Sequence, residues 1–127
     1  MKLLLDTNCL IWALLDHPRL NETARQRIRA AEAVYFSTAS IWEIGIKWRK
    51  GKISLAPARA YEQAVRDGLL PLPVHVDAMI ASCEVAAAHP DPFDRLFLAQ
   101  AIRQDMTLLT SDADLAGHGP EHVLLVK

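Results

Sequence analysis

The sequence predicts an α/β fold built on a mainly parallel sheet, and three observations predict it. Short apolar runs, clearest at Leu3–Leu5, Val34–Phe36 and Thr107–Thr110, alternate with stretches of helical periodicity. The first run is leucine throughout rather than alternating, which suits a strand covered on both faces. Acidic residues also recur where elements meet: Asp6 after the first run, Glu43 early in a helix, Asp94 opening another, and Asp112 after the last strong run.

The elements follow in order. Leu3–Leu5 is stopped by the polar turn Asp6-Thr7-Asn8, and a helix over Cys9–Asp16 ends before Pro18. Asn21 is placed to cap a helix over Glu22–Glu32, with Ala24, Ile28 and Ala31 inward and Arg25, Arg27 and Arg29 outward. Val34-Tyr35-Phe36 is β-branched and aromatic, hence a strand. Ser37, Thr38 and Ser40 offer caps for a helix reaching Lys50, and Gly51 supplies its stop signal. Pro57 starts a helix that ends at Gly68, and Leu69–Val74, with two prolines, is at best an edge strand. An alanine-rich helix is expected over His75–His89. Asp91-Pro92 caps the next helix, to about Asp105, and strands follow at Thr107–Thr110 and His122–Val126.

At 127 residues the chain reads as one domain over residues 1–127, long enough to bury a sizeable core. The formal net charge of −1 gives no bulk attraction to nucleic acid, so any such binding must come from local basic patches. Cys9 and Cys83 fall in apolar segments and read as small buried hydrophobes in a reducing compartment. Lys2 is followed by only three leucines before Asp6 interrupts, which argues against a secretory signal. The longest apolar stretch, Cys9–Leu15, is too short to span a bilayer. The expected location is the cytoplasm, without a membrane partner.

In an open α/β sheet, ligands bind beyond the carboxyl ends of the strands. Asp6, Glu43, Asp94 and Asp112 gathered there would repel one another unless a cation held them, and hard oxygen ligands favour Mg²⁺ or Mn²⁺. Each acid has a local explanation as well. Asp6 or Asn8 suits a helix cap, and Ser40-Ile41-Trp42-Glu43 fits a capping box. Asp94 suits the first turn of its helix, and Asp112 with Asp114 suits an Asx-turn. Four such acids together favour a metal site over four separate caps. The chemistry would be hydrolysis of a phosphate ester by an activated water, which needs no Ser, Cys or His nucleophile.

These segments carry a resemblance. Asp6-Thr7-Asn8, Ser40-Ile41-Trp42-Glu43-Ile44, Asp91-Pro92-Phe93-Asp94-Arg95-Leu96 and Leu109-Thr110-Ser111-Asp112 are similar, in order and over the whole chain, to the motifs of PIN domains. The likeness is greatest to VapC-type toxins of bacterial toxin–antitoxin pairs. It implies a PIN-like three-layer domain, its central sheet flanked by helices. It further implies a Mg²⁺- or Mn²⁺-dependent endoribonuclease with one or two ions, products with 5′-phosphate and 3′-hydroxyl ends, and a VapB-like antitoxin that blocks the site. By position, Asp6, Glu43, Asp94 and Asp112 become the acidic quartet, Asp114 competing with Asp112 for the fourth place. Thr110 becomes the hydroxyl that supports the first acid, and Asn8 lies beside the site. Pro90 stands where relatives often carry a basic residue.

Glu43, Lys47 and Lys50 share a helix face, so Lys47 either meets a phosphate or simply pairs with Glu43. Arg95, next to Asp94, either contacts phosphate or pairs with an acid. The Cys9–Leu15 helix is apolar all round, which implies burial on every side or a covering partner. Trp12 is a candidate surface for the antitoxin or for a second copy in a homodimer, Trp42 and Trp48 belong either to the core or to the same interface, and Leu10 and Leu14 read as core. Two other functions remain open: a non-catalytic PIN-like binding module, and a phosphotransfer switch using Asp6. The switch usually needs a second Asp two residues on, where this chain has Asn8.

Overall fold

The computed structural model describes residues 1–85 and 88–126. β1 (Lys2–Leu5) leads into α1 (Thr7–Leu14) and α2 (Glu22–Ala30), then β2 (Ala33–Ser37), α3 (Thr38–Arg49) and α4 (Pro57–Arg66). The edge strand β3 (Leu70–Leu72) precedes α5 (Val76–Ser82) and α6 (Pro92–Arg103). β4 (Thr107–Thr110), α7 (Ala113–His118), a 3-10 turn and β5 (Val123–Leu125) complete the order. The strands lie β3-β2-β1-β4-β5, every pair parallel.

This order has a physical consequence. β1 to β3 build outward in one direction, and β4 and β5 build outward in the other. The chain therefore reverses at the β1–β4 boundary, where the turns leaving the two strands splay apart and open a crevice. The register sets Leu5 beside Leu109, and the Asp6 N–H continues the ladder onto the Leu109 carbonyl at 3.0 Å. Asp6 and Thr110 thus arrive side by side at the carboxyl edge.

The central strand is buried on both sides, as its unbroken leucines require. Leu3 and Leu5 pack into one core with Leu10, Leu14, Phe36, Ile44, Ala60 and Ala64, beneath α1, α2 and α4. Leu4 points the other way, into a second core with Phe97, Leu98, Ala101, Leu108 and Leu115, beneath α6 and α7. The result is three layers. Each fully buried leucine or phenylalanine contributes on the order of 1.5–3 kcal/mol, which anchors the strands that carry the polar edge.

Several local expectations hold. Asn21 caps α2 by accepting from the Ala24 N–H, and Asp91 caps α6 by accepting from the Phe93 N–H. Gly51 and Gly68 end their helices with φ of +72° and +87°. Leu10 and Leu14 are core, and β3 is an edge strand.

Others are corrected. α1 begins at Thr7, not Cys9, because Asp6 is its cap. Its apolar surface is not uniform in fate: Cys9, Leu10, Ile11 and Leu14 are buried, Trp12 is half-buried and Leu15 is exposed. α5 stops at Ser82 rather than His89, so Cys83 is exposed; residues 86 and 87 of that expected helix lie outside the described residues. α7 was not expected, because Asp112 and Asp114 read as a simple turn. Trp42 and Trp48 belong to neither core, being 67% and 46% exposed.

Candidate active site

Five carboxylates, the four predicted acids and Asp91, line one cleft of about 100 Å³. It is lined by Asp6, Thr7, Asn8, Glu43, Lys47, Asp91, Asp94, Ser111 and Asp112. Asp6 ends β1, Glu43 rides on α3 after β2, Asp94 sits in the first turn of α6, and Asp112 follows β4. The structure thus brings together all four predicted acids, together with Asn8 and Lys47. Asp114 does not line the cleft, and its side chain is 70% exposed.

Asp6 is the most constrained. It is buried, its Oδ1 accepts from the Cys9 N–H at 2.7 Å, and its Oδ2 accepts from the Thr110 hydroxyl at 2.6 Å. Burial pushes its pKa above the ordinary carboxylate range, while the Thr110 and Cys9 hydrogen bonds work against that rise and the charge of Glu43 adds to it. Thr110 also accepts from the Asp112 N–H at 3.1 Å, so one hydroxyl ties the ends of β1 and β4 together.

Glu43 is not part of a capping box. α3 is capped by Ser37, which accepts from the Ala39 N–H, and Glu43 lies a full turn inside the helix. Its carboxylate instead accepts from the Thr7 hydroxyl at 2.5 Å, and its other oxygen sits 3.3 Å from Lys47 Nζ. Thr7 Oγ1 also lies 3.0 Å from Ser40 Oγ, within the buried base of the cleft. Lys47 therefore pairs with Glu43, and it also lines the cleft.

Asp94 accepts no hydrogen bond among the described residues. Burial, then the charges of Asp91, Asp6 and Glu43, push its pKa up to about 7. Arg95, one position on, does not line the cleft and pairs with no acid among the described residues; its Nε is buried without a partner. Adjacent helix positions point about 100° apart, so facing Asp94 into the cleft turns Arg95 away.

Asp112 serves two purposes. Its Oδ1 caps α7, accepting from the Asp114 and Leu115 N–H groups at 3.0 and 3.2 Å. Its Oδ2 lies 2.8 Å from Nε2 of His89, which is only 4% exposed. Burial works to raise the Asp112 pKa, but the His89 hydrogen bond and the α7 N–H groups outweigh it and hold the carboxyl low. For His89, burial disfavours the charged ring, but the Asp112 hydrogen bond and the charges of Asp112, Asp94 and Asp114 prevail and raise its pKa.

His89 was missed in the sequence, and so was the role of Thr7. His89 stands 23 residues from Asp112 with no motif linking them. Thr7 lay inside a quoted motif, but nothing in its neighbours showed that it would reach Glu43, 36 residues on.

A divalent cation fits this donor set. The cluster is mostly carboxylate oxygen, partly desolvated, and among the described residues only Glu43 has a lysine counter-charge. His89, Asp94 and Asp112 each place a ligand atom within 4.8 Å of the others. His89 is nevertheless arranged as a donor to Asp112. Its Nδ1 accepts from the Asp91 N–H at 3.2 Å, which leaves the ring proton on Nε2, facing Asp112. The ion would therefore sit on oxygen, which favours Mg²⁺ or Mn²⁺.

Comparison with known proteins agrees with this architecture. The chain is similar in structure to VapBC2 from Rickettsia felis, solved bound to a DNA fragment from the promoter. The TM-score is 0.73 at 15% identity, covering 100% of both chains. It is similar to DNA-bound VapBC from Salmonella typhimurium, with a TM-score of 0.71 at 18% identity, covering 100% of this chain and 99% of that one. A toxin–antitoxin complex from Klebsiella pneumoniae gives 0.68 at 16% identity, covering 98% and 97%. At such identities the likeness is one of fold. No curated protein matches the sequence. A family model described as PIN domain matches residues 3–119, nearly the whole chain and a span that includes every acid of the cleft, and this protein belongs to the PIN domain family.

Proposed function

We propose that the chain is a metal-dependent endoribonuclease acting as a VapC-type toxin, held in check by a VapB-like antitoxin. One observation carries the reading: four carboxylates from four separate elements converge at the point where the sheet reverses. Such convergence costs electrostatic energy and makes sense as a cation site. Three solved neighbours being toxin–antitoxin complexes supports the partner. No helix among the described residues is long and apolar enough to cross a membrane, which is consistent with action on cytoplasmic RNA.

Asp6, Glu43, Asp94 and Asp112 would hold one or two Mg²⁺ or Mn²⁺ ions. When bound, the ions would lower the pKa of a coordinated water and offset charge on the phosphate. The protein's part is positioning. Asp6 is locked by Thr110 and the Cys9 N–H, and Glu43 is braced by Thr7 and Lys47. Asp112 is aimed by the α7 N–H groups and His89. Lys47 and the exposed Asn8 amide offer donors to phosphate oxygens at the cleft wall.

A phosphotransfer switch on Asp6 is disfavoured, because both its oxygens are engaged and it is 4% exposed. A separate apolar groove, lined by Trp42, Val74, Met79, Phe93 and Leu96, suits a protein partner such as a second copy in a homodimer. Trp12 lines a different concavity from Trp42.

The decisive experiment incubates RNA with the purified, antitoxin-free chain in Mn²⁺ or EDTA, beside Asp6→Asn. Discrete products that require metal, carry 5′-phosphates and vanish in the variant are expected. A folded protein that binds Mn²⁺ and leaves every RNA intact would refute the reading in favour of a binding module.

His89 gives a second test. His89→Ala should weaken Mn²⁺ binding and cleavage about 10–100-fold, the usual effect of losing a group that orients a ligand. His89→Gln keeps an N–H for Asp112 and should recover most of that loss. Equal defects in both, measured by Mn²⁺ titration, would mean that the imidazole itself ligates the ion.

A further inference from the structure

Beside the acidic cleft lies a second concavity of about 190 Å³, lined by Trp12, Pro18, Arg19, Asn21, Ser111 and Val126. Ser111, in the turn between β4 and α7, lines both. Asn8 and Trp12 also connect them, since they stand one turn apart on α1, Asn8 in the first hollow and Trp12 in the second. The two concavities therefore run together along the side of α1.

The second hollow differs in chemistry from the first. Trp12 backs onto the core and presents a partly exposed ring. The Arg19 guanidinium lies over that ring, 4.8 Å from its centroid, and the His17 ring stacks beside it at 6.2 Å with 26° between planes. A hydrogen bond from the Arg19 N–H to His17 Nδ1, 3.1 Å long, closes the turn around Pro18 and fixes Arg19 against the indole. Arg19 is exposed and has no acidic partner among the described residues. Arg25, by contrast, is tied to Asp16 and Lys47 to Glu43.

We infer that this hollow is a nucleotide subsite: Trp12 and Arg19 hold one unpaired nucleotide of the RNA strand next to the phosphate being cleaved. The inference rests on the ribonuclease reading above and adds the direction the strand takes. A polyanion approaching an acidic cleft on a protein of net charge −1 needs cations beside the acids. Lys47 supplies one within the cleft and Arg19 supplies another beyond Ser111. An indole with an arginine laid on it also offers a flat platform for a base, and the same guanidinium can meet the flanking phosphate. Aromatic stacking beside cations is how single strands are held without base-pairing readout. The charge of Arg19 and the shared Ser111 wall favour RNA here over a protein segment.

The test compares Arg19→Glu and Trp12→Leu with the parent; the leucine keeps apolar contact with the core while removing the ring. The substrates are a labelled single-stranded oligoribonucleotide of mixed sequence and bis(p-nitrophenyl) phosphate, which is too small to reach Arg19. Both variants should raise KM for the oligonucleotide about tenfold and leave hydrolysis of the small ester unchanged. Arg19→Glu should also reduce the salt dependence of oligonucleotide binding by about one unit of slope, because one phosphate contact is lost. Parent-like KM in both variants would overturn the subsite, while an inactive parent would instead remove the ribonuclease reading beneath it.

Discussion

Asp94→Asn is expected to abolish cleavage while making the metal-free protein more stable. Loss of a carboxylate proposed to hold the ion would forfeit several kcal/mol of transition-state stabilisation, on the order of 10³-fold in rate. Stability moves the other way because Asp94 is crowded by Asp91, Asp6 and Glu43 and largely buried, which pushes its pKa up to about 7 from an ordinary 3.8. The folded chain therefore binds that proton more tightly than the unfolded chain. The resulting stabilisation is complete below about pH 4 and is lost as pH rises through 7. Asparagine does not titrate and avoids the loss. At pH 8 in EDTA the variant should gain about 1–3 kcal/mol after allowance for solvent screening, or roughly 4–12 °C in Tm. At pH 3.5, below the unfolded pKa, parent and variant should melt together. A variant less stable than the parent at pH 8 would show that the acids are not in conflict.

The same competition predicts how the parent answers to metal. Mn²⁺ at a hundred times its Kd should add about 2.7 kcal/mol at pH 8, a rise of about 10 °C in Tm. At pH 5.5 the Asp94 proton must be displaced first, and with a pKa of about 7 the apparent affinity should fall roughly 30-fold. The same Mn²⁺ concentration should then raise Tm by only about a third as much. The raised pKa of Asp6 acts in the same direction. Differential scanning fluorimetry at the two pH values decides the matter, since an equal shift at both would place the ion away from Asp94. In Asp94→Asn the Mn²⁺ response should be largely gone.

Tightness and conflict are divided among the acids in a way that suits this chemistry. Asp6 and Asp112 are fixed by hydrogen bonds from Thr110, Cys9, His89 and the first turn of α7, so their positions do not depend on an ion. Asp94 has no such bonds among the described residues and carries the repulsion. Strain of this kind is tolerated at functional sites because the surrounding core over-determines the backbone. Here that core is the double-sided packing of Leu3, Leu4 and Leu5.

Much of this was legible in the sequence because the governing forces are local. Asn21 and Asp91 cap their helices by reaching N–H groups two or three residues on. The leucines of β1 announced a strand covered on both faces, and the acids stood at element boundaries where an α/β sheet keeps its site. Local logic also misled. The helical pattern from His75 ran on past Ser82, where α5 ends, and Ser40 was a plausible cap until Ser37 took that place.

The sequence by itself determined which residues would lie at the ends of elements, and therefore which carboxylates were available. Only the tertiary structure decided which of them meet. The strand order β3-β2-β1-β4-β5 puts Asp6 beside Thr110, 104 residues away, and turns Asp112 rather than Asp114 into the cleft. It brings His89 to Asp112 and Thr7 to Glu43, and it splits the tryptophans, Trp12 beside Arg19 and Trp42 beside Phe93. The physical reason is range. A cap or an apolar run is settled within one turn or one strand, whereas strand order is settled by the joint burial of two cores, a free energy that no short segment contains.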